Sequence, residues 1–258
     1  MNPVEVLALF DREMRQGARP EGPGARVERA DGVVRQTGTE HGWSAVLWSG
    51  LDESAADAAI AAQVRHFTEL GREFEWKLYG HDRPSDLPAR LRAAGFVPEP
   101  EETLMAAETG GLATAVELPE GVRLRAVTGA AGVDLMAEVH EQAFGTDSSR
   151  LRQHLLDRLA AQPDTVTAVV AMAGEVPVSS ARLELPAAGS FAGLWGGGTV
   201  KPWRGRGIYR ALVAHRARIA AERGYRYVQV DASPDSRPIL QRLGFVPLTT
   251  TTPWIHRP

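Results

Sequence analysis

The sequence predicts an α/β (α+β) fold in which one unit, a mixed central sheet flanked by helices, occurs twice with the first copy abbreviated. Three observations lead there. Strand and helix patterns alternate through the second half of the chain. A glycine-rich turn at 204–209 joins a strand to a helix. A short peptide recurs at an offset of 149 residues, and the same offset aligns several other segments.

The second half reads in order. Val122 to Val127 alternates apolar and basic residues, as a strand wetted on one face does. Val133 to Ala143 has apolar residues four apart and predicts a helix. Leu151 to Ala161 predicts another, which Pro163 ends. Thr165 to Ala171 is β-branched and predicts a strand. Ala173-Gly174-Glu175 turns the chain into a further strand, Val176 to Leu185, and Pro186 to Gly189 breaks it. Phe191 to Val200 is a strand carrying three consecutive glycines, Gly196 to Gly198. After the glycine turn a helix runs to about Arg223, with Gly224 as its stop. Tyr225 to Val230 predicts a strand. Ser233 and Pro234 suit the N-cap and first position of a short helix that ends at Gly244, and Phe245-Val246-Pro247 opens the last strand.

The recurring peptide is Ala94-Gly95-Phe96-Val97-Pro98, matched by Leu243-Gly244-Phe245-Val246-Pro247. At the same offset Trp76–Tyr79 falls on Tyr225–Val228, Leu87–Ala94 on the short helix before Gly244, and Val33–Gln36 on Arg182–Leu185. Trp43–Trp48 falls near the strand of Trp195, and Glu53–Leu70 overlaps the helix after the glycine turn. A constant offset through several elements predicts two domains, 1–118 and 119–258. The first copy lacks room for the opening elements of the second.

Composition narrows the function classes. The absence of cysteine excludes disulfides, thiolate metal sites and a cysteine nucleophile. No signal peptide and no transmembrane run stand out, so the expected location is cytoplasmic, away from membranes. Residues 1–118 carry a net charge of −8 and residues 119–258 a net charge of +5, which places an anionic ligand in the second half. No dense basic run with interleaved aromatics supports nucleic-acid binding, and the expected state is a monomer or homodimer.

The chemical signal is Val200-Lys201-Pro202-Trp203-Arg204-Gly205-Arg206-Gly207-Ile208-Tyr209. The first N–H groups of a helix have no partner inside it and carry the positive end of its dipole. Glycines let that backbone approach a phosphate closely, and Arg204 and Arg206 add charge. Gly-Lys-Ser/Thr is missing, so this is not the nucleotide P-loop, and Gly-x-Gly-x-x-Gly is missing too.

Val-x-Pro-x-Arg-Gly-x-Gly-Ile followed by helix, strand and a short helix closing on Leu-Gly-Phe resembles the GNAT superfamily of acyl-CoA N-acyltransferases. The family signature Arg/Gln-x-x-Gly-x-Gly/Ala reads Arg204 to Tyr209 here, with Tyr209 in place of the final small residue. The resemblance covers about Gly121 to Ile255 and reaches the first half only through the repeat. It implies an acetyl group taken from acetyl-CoA, without a metal, and passed to the amine of a small molecule or peptide. It also implies that the strand ending at Val200 and the strand from Tyr225 splay apart to admit the pantetheine arm. Main-chain groups of Gly198, Thr199 and Val200 would then hold the arm and polarise the thioester, and Arg204, Gly205, Arg206, Gly207, Ile208 and Tyr209 the pyrophosphate.

Acid and base positions depart from the family. The usual tyrosine, four residues before the Gly of Gly-Phe, is Leu240. The usual glutamate, three before the valine, is Gly197, and a common asparagine is Ser233. Ser233 and Ser236 are candidates to meet the sulfur, and Glu141, beside His140, and Glu184 are base candidates; a solvated surface role stays open for each. Trp195 and Trp203 either line the acceptor site or pack, and packing is preferred. Asp147-Ser148-Ser149 is read as a helix N-cap for Leu151. The missing tyrosine and glutamate keep a second class open, an acyl-CoA-binding sensor or scaffold without turnover. In the first copy Ala55-Ala56-Asp57-Ala58-Ala59-Ile60 stands where the phosphate loop would be, without its glycines and arginines. That copy is expected to serve as a structural partner of the acceptor cleft.

Overall fold

Hydrophobic periodicity and glycine punctuation place most of the elements in a computed structural model that describes residues 1–258. The chain begins with α1 (Pro3–Phe10), which continues as a π-helical turn, Asp11–Gln16. Then come β1 (Arg26–Ala30), β2 (Val33–Thr37), β3 (Ala45–Ser49), α2 (Ala56–Glu69), β4 (Phe74–Tyr79), α3 (Leu87–Ala93), β5 (Val97–Pro98) and β6 (Glu102–Glu108). The second half runs β7 (Val122–Val127), α4 (Ala130–Phe144), α5 (Ser149–Ala161), β8 (Val166–Ala173), β9 (Val176–Glu184), β10 (Phe191–Thr199), α6 (Ile208–Glu222), β11 (Tyr227–Ala232), α7 (Arg237–Arg242) and β12 (Val246–His256).

Two compact units result, and each draws residues from both sides of residue 118. The N-terminal unit is Asn2–Met105 with Asp231–Arg237 and Pro247–Pro258. The C-terminal unit is Ala106–Val230 and Pro238–Val246, with Met1. The C-terminal unit orders its strands β11-β10-β9-β8-β7, antiparallel except for the parallel pair of β10 and β11. The N-terminal unit orders β1-β2-β3-β4-β12, with β3 and β4 parallel and β5 also on β12. Each is thus a mixed α/β sheet with helices, and the first is the shorter.

The partner of the last strand was not readable from the repeat. β12 pairs with β4, Trp254 opposite Trp76, and both indoles are buried in the core of the N-terminal unit with Phe67, Phe74 and Phe96. Ala106–Glu108 of β6, in exchange, belong to the C-terminal unit, where Thr109 donates its N–H to the Arg226 carbonyl at 3.0 Å. A chain of residues 119–258 alone would therefore leave β12 without β4, as an open strand edge with Trp254 uncovered. Its expected behaviour is non-cooperative unfolding and dye binding, read by circular dichroism and fluorescence. A cooperative transition like that of the full chain would refute this.

Two local expectations shift. The short helix begins at Arg237 rather than beside Pro234. Ser233 still caps a turn, since its Oγ accepts the Ser236 N–H at 3.3 Å, but residues 234–236 stay in that turn before helical pairing starts. The N-terminal unit also has opening elements of its own, α1 with its π-turn and β1, in place of two helices and two further strands. α6 is held as its pattern requires. Ile208 and Leu212 are fully buried against Val139, Val169, Val178 and Val200, each contributing about 2–3 kcal/mol. Gly224 ends the helix at positive φ.

Candidate functional site

In the C-terminal unit β10 and β11 pair only at Phe191–Tyr227, Ala192–Val228 and Gly193–Gln229. Beyond Gly193 the parallel pairing stops, so the backbone of β10 from Leu194 onward opens towards a gap. The pairing of β10 with β9 also breaks. Trp195 faces Arg182 and Gly198 faces Ser180, so Gly196 and Gly197 bulge opposite Ala181.

Val200 gives its N–H to the Val178 carbonyl at 3.0 Å. Strand alternation then turns the main chain of Thr199 the other way, to the open side. The Val200 N–H is thus engaged in a strand bond, and the Thr199 amide takes the opposite direction. Ser179 fixes the segment from β9, donating to the Gly198 carbonyl at 2.6 Å and lying 2.8 Å from Thr199 Oγ1.

After β10 a 3-10 turn, Lys201–Trp203, leads into Arg204-Gly205-Arg206-Gly207. Gly205 and Gly207 have φ of 75° and 84°, in the left-handed region that glycine adopts without strain. Gly207 is the N-cap of α6, and no side chain caps the helix. The first helical bond runs from Ala211 N–H to Gly207 O at 3.0 Å, so the amides before it point out of the helix. A Cβ on Gly205 would meet nothing within 4 Å. The arginines have local duties. Arg204 donates to the carbonyls of Thr199 at 3.0 Å and Ala143 at 3.1 Å, tying the loop to β10 and α4. Arg206 lies over the Trp203 ring at 4.6 Å, and Trp203 itself packs on the core. Trp195 covers Gly193, where a Cβ would come within 2.6 Å of its Nε1.

The candidate acid and base residues are placed as follows. Glu184 is buried and bound by Arg158 and, at 3.0 Å, by Arg182, which makes it an ion-paired link from β9 to α5. Glu141 accepts the Ser148 hydroxyl at 2.6 Å, so Ser148 serves the loop between α4 and α5 rather than capping α5. His140, at 3.1 Å from Thr146 Oγ1, has its pKa held down by burial and then by Arg182. Ser233 and Ser236 bond each other at 3.2 Å and belong to the segment Asp231–Arg237 of the N-terminal unit. Leu240 is wholly buried. No group of three His, Cys, Asp or Glu side chains is arranged to hold a metal ion. No helix is long and apolar enough to cross a membrane.

The corresponding places in the N-terminal unit are filled by its own side chains. At the start of α2, Asp52 Oδ1 accepts the N–H groups of Ser54 and Ala55, both at 2.9 Å, so a carboxylate sits where a phosphate would. The bond from the Ser54 hydroxyl, and then these from the Ala55 and Ser54 amides, hold the Asp52 pKa down. β3 and β4 pair only at Ala45–Glu75 and Val46–Trp76, and Arg15 enters where they part. Its Nε donates to the Leu47 carbonyl at 3.0 Å, and its guanidinium lies 4.1 Å over the Tyr79 ring and grips both oxygens of Asp82 at 2.7 Å. Arg15 lies outside every repeat match, so only its basic character amid acidic residues could have marked it in the sequence. A second buried group, Lys77 on Asp231 at 2.5 Å near Glu75 and Glu102, was likewise missed; burial pushes Glu102 up to about 7.

Residues 133–245 match the model of the acetyltransferase (GNAT) family. No curated protein matches the chain. Among solved structures it is similar to a GCN5-related N-acetyltransferase from Kribbella flavida, at TM-score 0.68 and 22% identity over 90% of each chain. A functionally unknown conserved protein from Staphylococcus epidermidis gives TM-score 0.69 at 14% identity, over 94% of this chain and 96% of its own. A tandem GNAT protein from the clavulanic acid biosynthesis pathway gives 0.58 at 15%, over 93% of this chain and 85% of its own. Likeness at these identities is likeness of fold.

Proposed function

We propose that this chain, whose residues 133–245 match the acetyltransferase (GNAT) family model, takes an acyl group, normally acetyl, from acyl-CoA and transfers it to the amine of a small molecule or peptide. The observation that carries the proposal is the uncapped start of α6, behind two positive-φ glycines and beside a strand pair that parts after Gly193. Outward amides and the helix dipole suit a pyrophosphate. The gap suits an extended pantetheine arm, and in this reading the Thr199 amide bonds it or stabilises charge gathering on a thioester oxygen. The filled places in the N-terminal unit leave one acyl-CoA site per chain.

The test combines two measurements on the full-length protein. Thiol release from acetyl-CoA is followed with a library of amines, and CoA binding is followed by calorimetry. Binding with amine-dependent thiol release is the expected result. Binding without turnover would select the sensor or scaffold reading, which the buried Leu240 and the absent side chain of Gly197 favour. No binding would remove both readings.

A further inference from the structure

Arg216 is a buried cation of unusual company. It lies on α6, 2% exposed, and its guanidinium donates to the carbonyls of Leu212 at 3.0 Å, Arg182 at 3.2 Å and Trp195 at 3.4 Å. The last two carbonyls belong to the Arg182–Trp195 pair at one end of the β10 bulge. Burial pushes its pKa down to about 10, and the one acidic group opposing that shift is Tyr209. Buried charges ordinarily have a carboxylate partner. Here three main-chain carbonyls hold the charge, and Tyr209 is the acidic group whose field favours it.

Both side chains converge on Gly197. A Cβ there would stand 3.0 Å from Tyr209 Cε2 and 3.4 Å from the second terminal nitrogen of Arg216. The two departures from the family signature, tyrosine at 209 and glycine at 197, therefore meet in space: the ring occupies the space that a side chain at 197 would need. Tyr209 is half-exposed on the first turn of α6, at the end that faces the phosphate loop, while Arg216 is sealed behind it. Near the bulge, Glu184 is bound by two arginines and Glu141 by Ser148.

The geometry points to the Tyr209 hydroxyl as the proton carrier of acyl transfer, with Arg216 as its positioning residue. The inference rests on the proposed acyl transfer. The ammonium acceptor first loses one proton to water. Its nitrogen lone pair then forms the C–N bond, and the C–S bond breaks with its electron pair going to sulfur. The phenol proton passes to sulfur and yields the free thiol. The phenolate, left against the Arg216 charge, takes the second proton from the acylated nitrogen and is a phenol again. One residue thus does the work of the acid and base positions held by Leu240 and Gly197.

The test is Tyr209→Phe, which keeps the ring and removes the hydroxyl. In the full-length protein kcat for thiol release is expected to fall about 100-fold, the usual scale of general acid–base catalysis. The KM for acetyl-CoA, the calorimetric CoA affinity and the thermal midpoint are expected to stay at their unmodified values. Arg216→Met should lower kcat in the unmodified background and add nothing in the Tyr209→Phe background. The pair Gly197→Glu with Tyr209→Gly should recover part of the lost kcat. Tyr209→Phe with unmodified kcat would overturn the inference and leave acyl transfer standing. Absence of turnover with every amine in the unmodified protein would remove acyl transfer and this inference together.

Discussion

Replacing Gly207 with valine is expected to weaken CoA binding by at least about 100-fold, close to 3 kcal/mol. Two effects combine. Gly207 has φ of 84°, and a β-branched residue there carries backbone strain of roughly 1–2 kcal/mol. Relief of that strain rotates the amides at the start of α6 away from the shared direction that a pyrophosphate needs. The new side chain also stands in the loop itself, where a Cβ would lie 3.3 Å from the Arg210 guanidinium. Gly174→Ala is the control. Gly174 has φ of 61° in the turn between β8 and β9, with nothing within 4 Å of a Cβ. It should lower stability and leave CoA affinity alone. Equal loss of affinity in both variants, by calorimetry, would mean that general strain and not the phosphate loop is being read.

Arg15→Met is expected to destabilise the N-terminal unit by about 3–5 kcal/mol in urea unfolding, the usual effect of breaking a buried ion pair from one side. Asp82, whose side chain is 4% exposed, would lose a guanidinium on both oxygens, and Asp11 its partner at 2.8 Å. The Leu47 carbonyl would lose a buried donor, and the Tyr79 ring its stacked cation. Methionine fills much of the same volume, so the loss reports charge and hydrogen bonding more than cavity formation. A change under about 1 kcal/mol would show that solvent replaces Arg15 at little cost.

The contrast between the repeats was partly legible. The offset of 149 residues revealed two copies, and the absence of glycine and arginine at 55–60 marked the first as unable to cradle a phosphate. The sequence did not reveal that the first copy fills these places itself. Asp52 lies just before the aligned loop, and Arg15 reaches β3 and β4 from a π-helical turn that no periodicity announces. At the working site the loop and its helix were legible because they depend on a few adjacent residues. The candidate side chains were less so. A glutamate or serine in a strand or turn pattern gives no sign of its partner, and Glu184, Glu141 and Ser236 each have one.

By itself the sequence determined the duplicated α/β plan, the strand–glycine turn–helix at 204–209 and the likeness to GNAT acyltransferases. These rest on short-range rules: side-chain periods of two and 3.6, and glycine where φ must be positive. Tertiary structure alone decided that β12 leaves its own half to pair with β4, that Val200 keeps its N–H on β9, and that Tyr209 lies over Gly197 with Arg216 behind it. The physical reason is common to all three. Alternation assigns a residue to a face of a strand without naming the neighbouring strand, and contacts between distant residues appear only when packing sets the register.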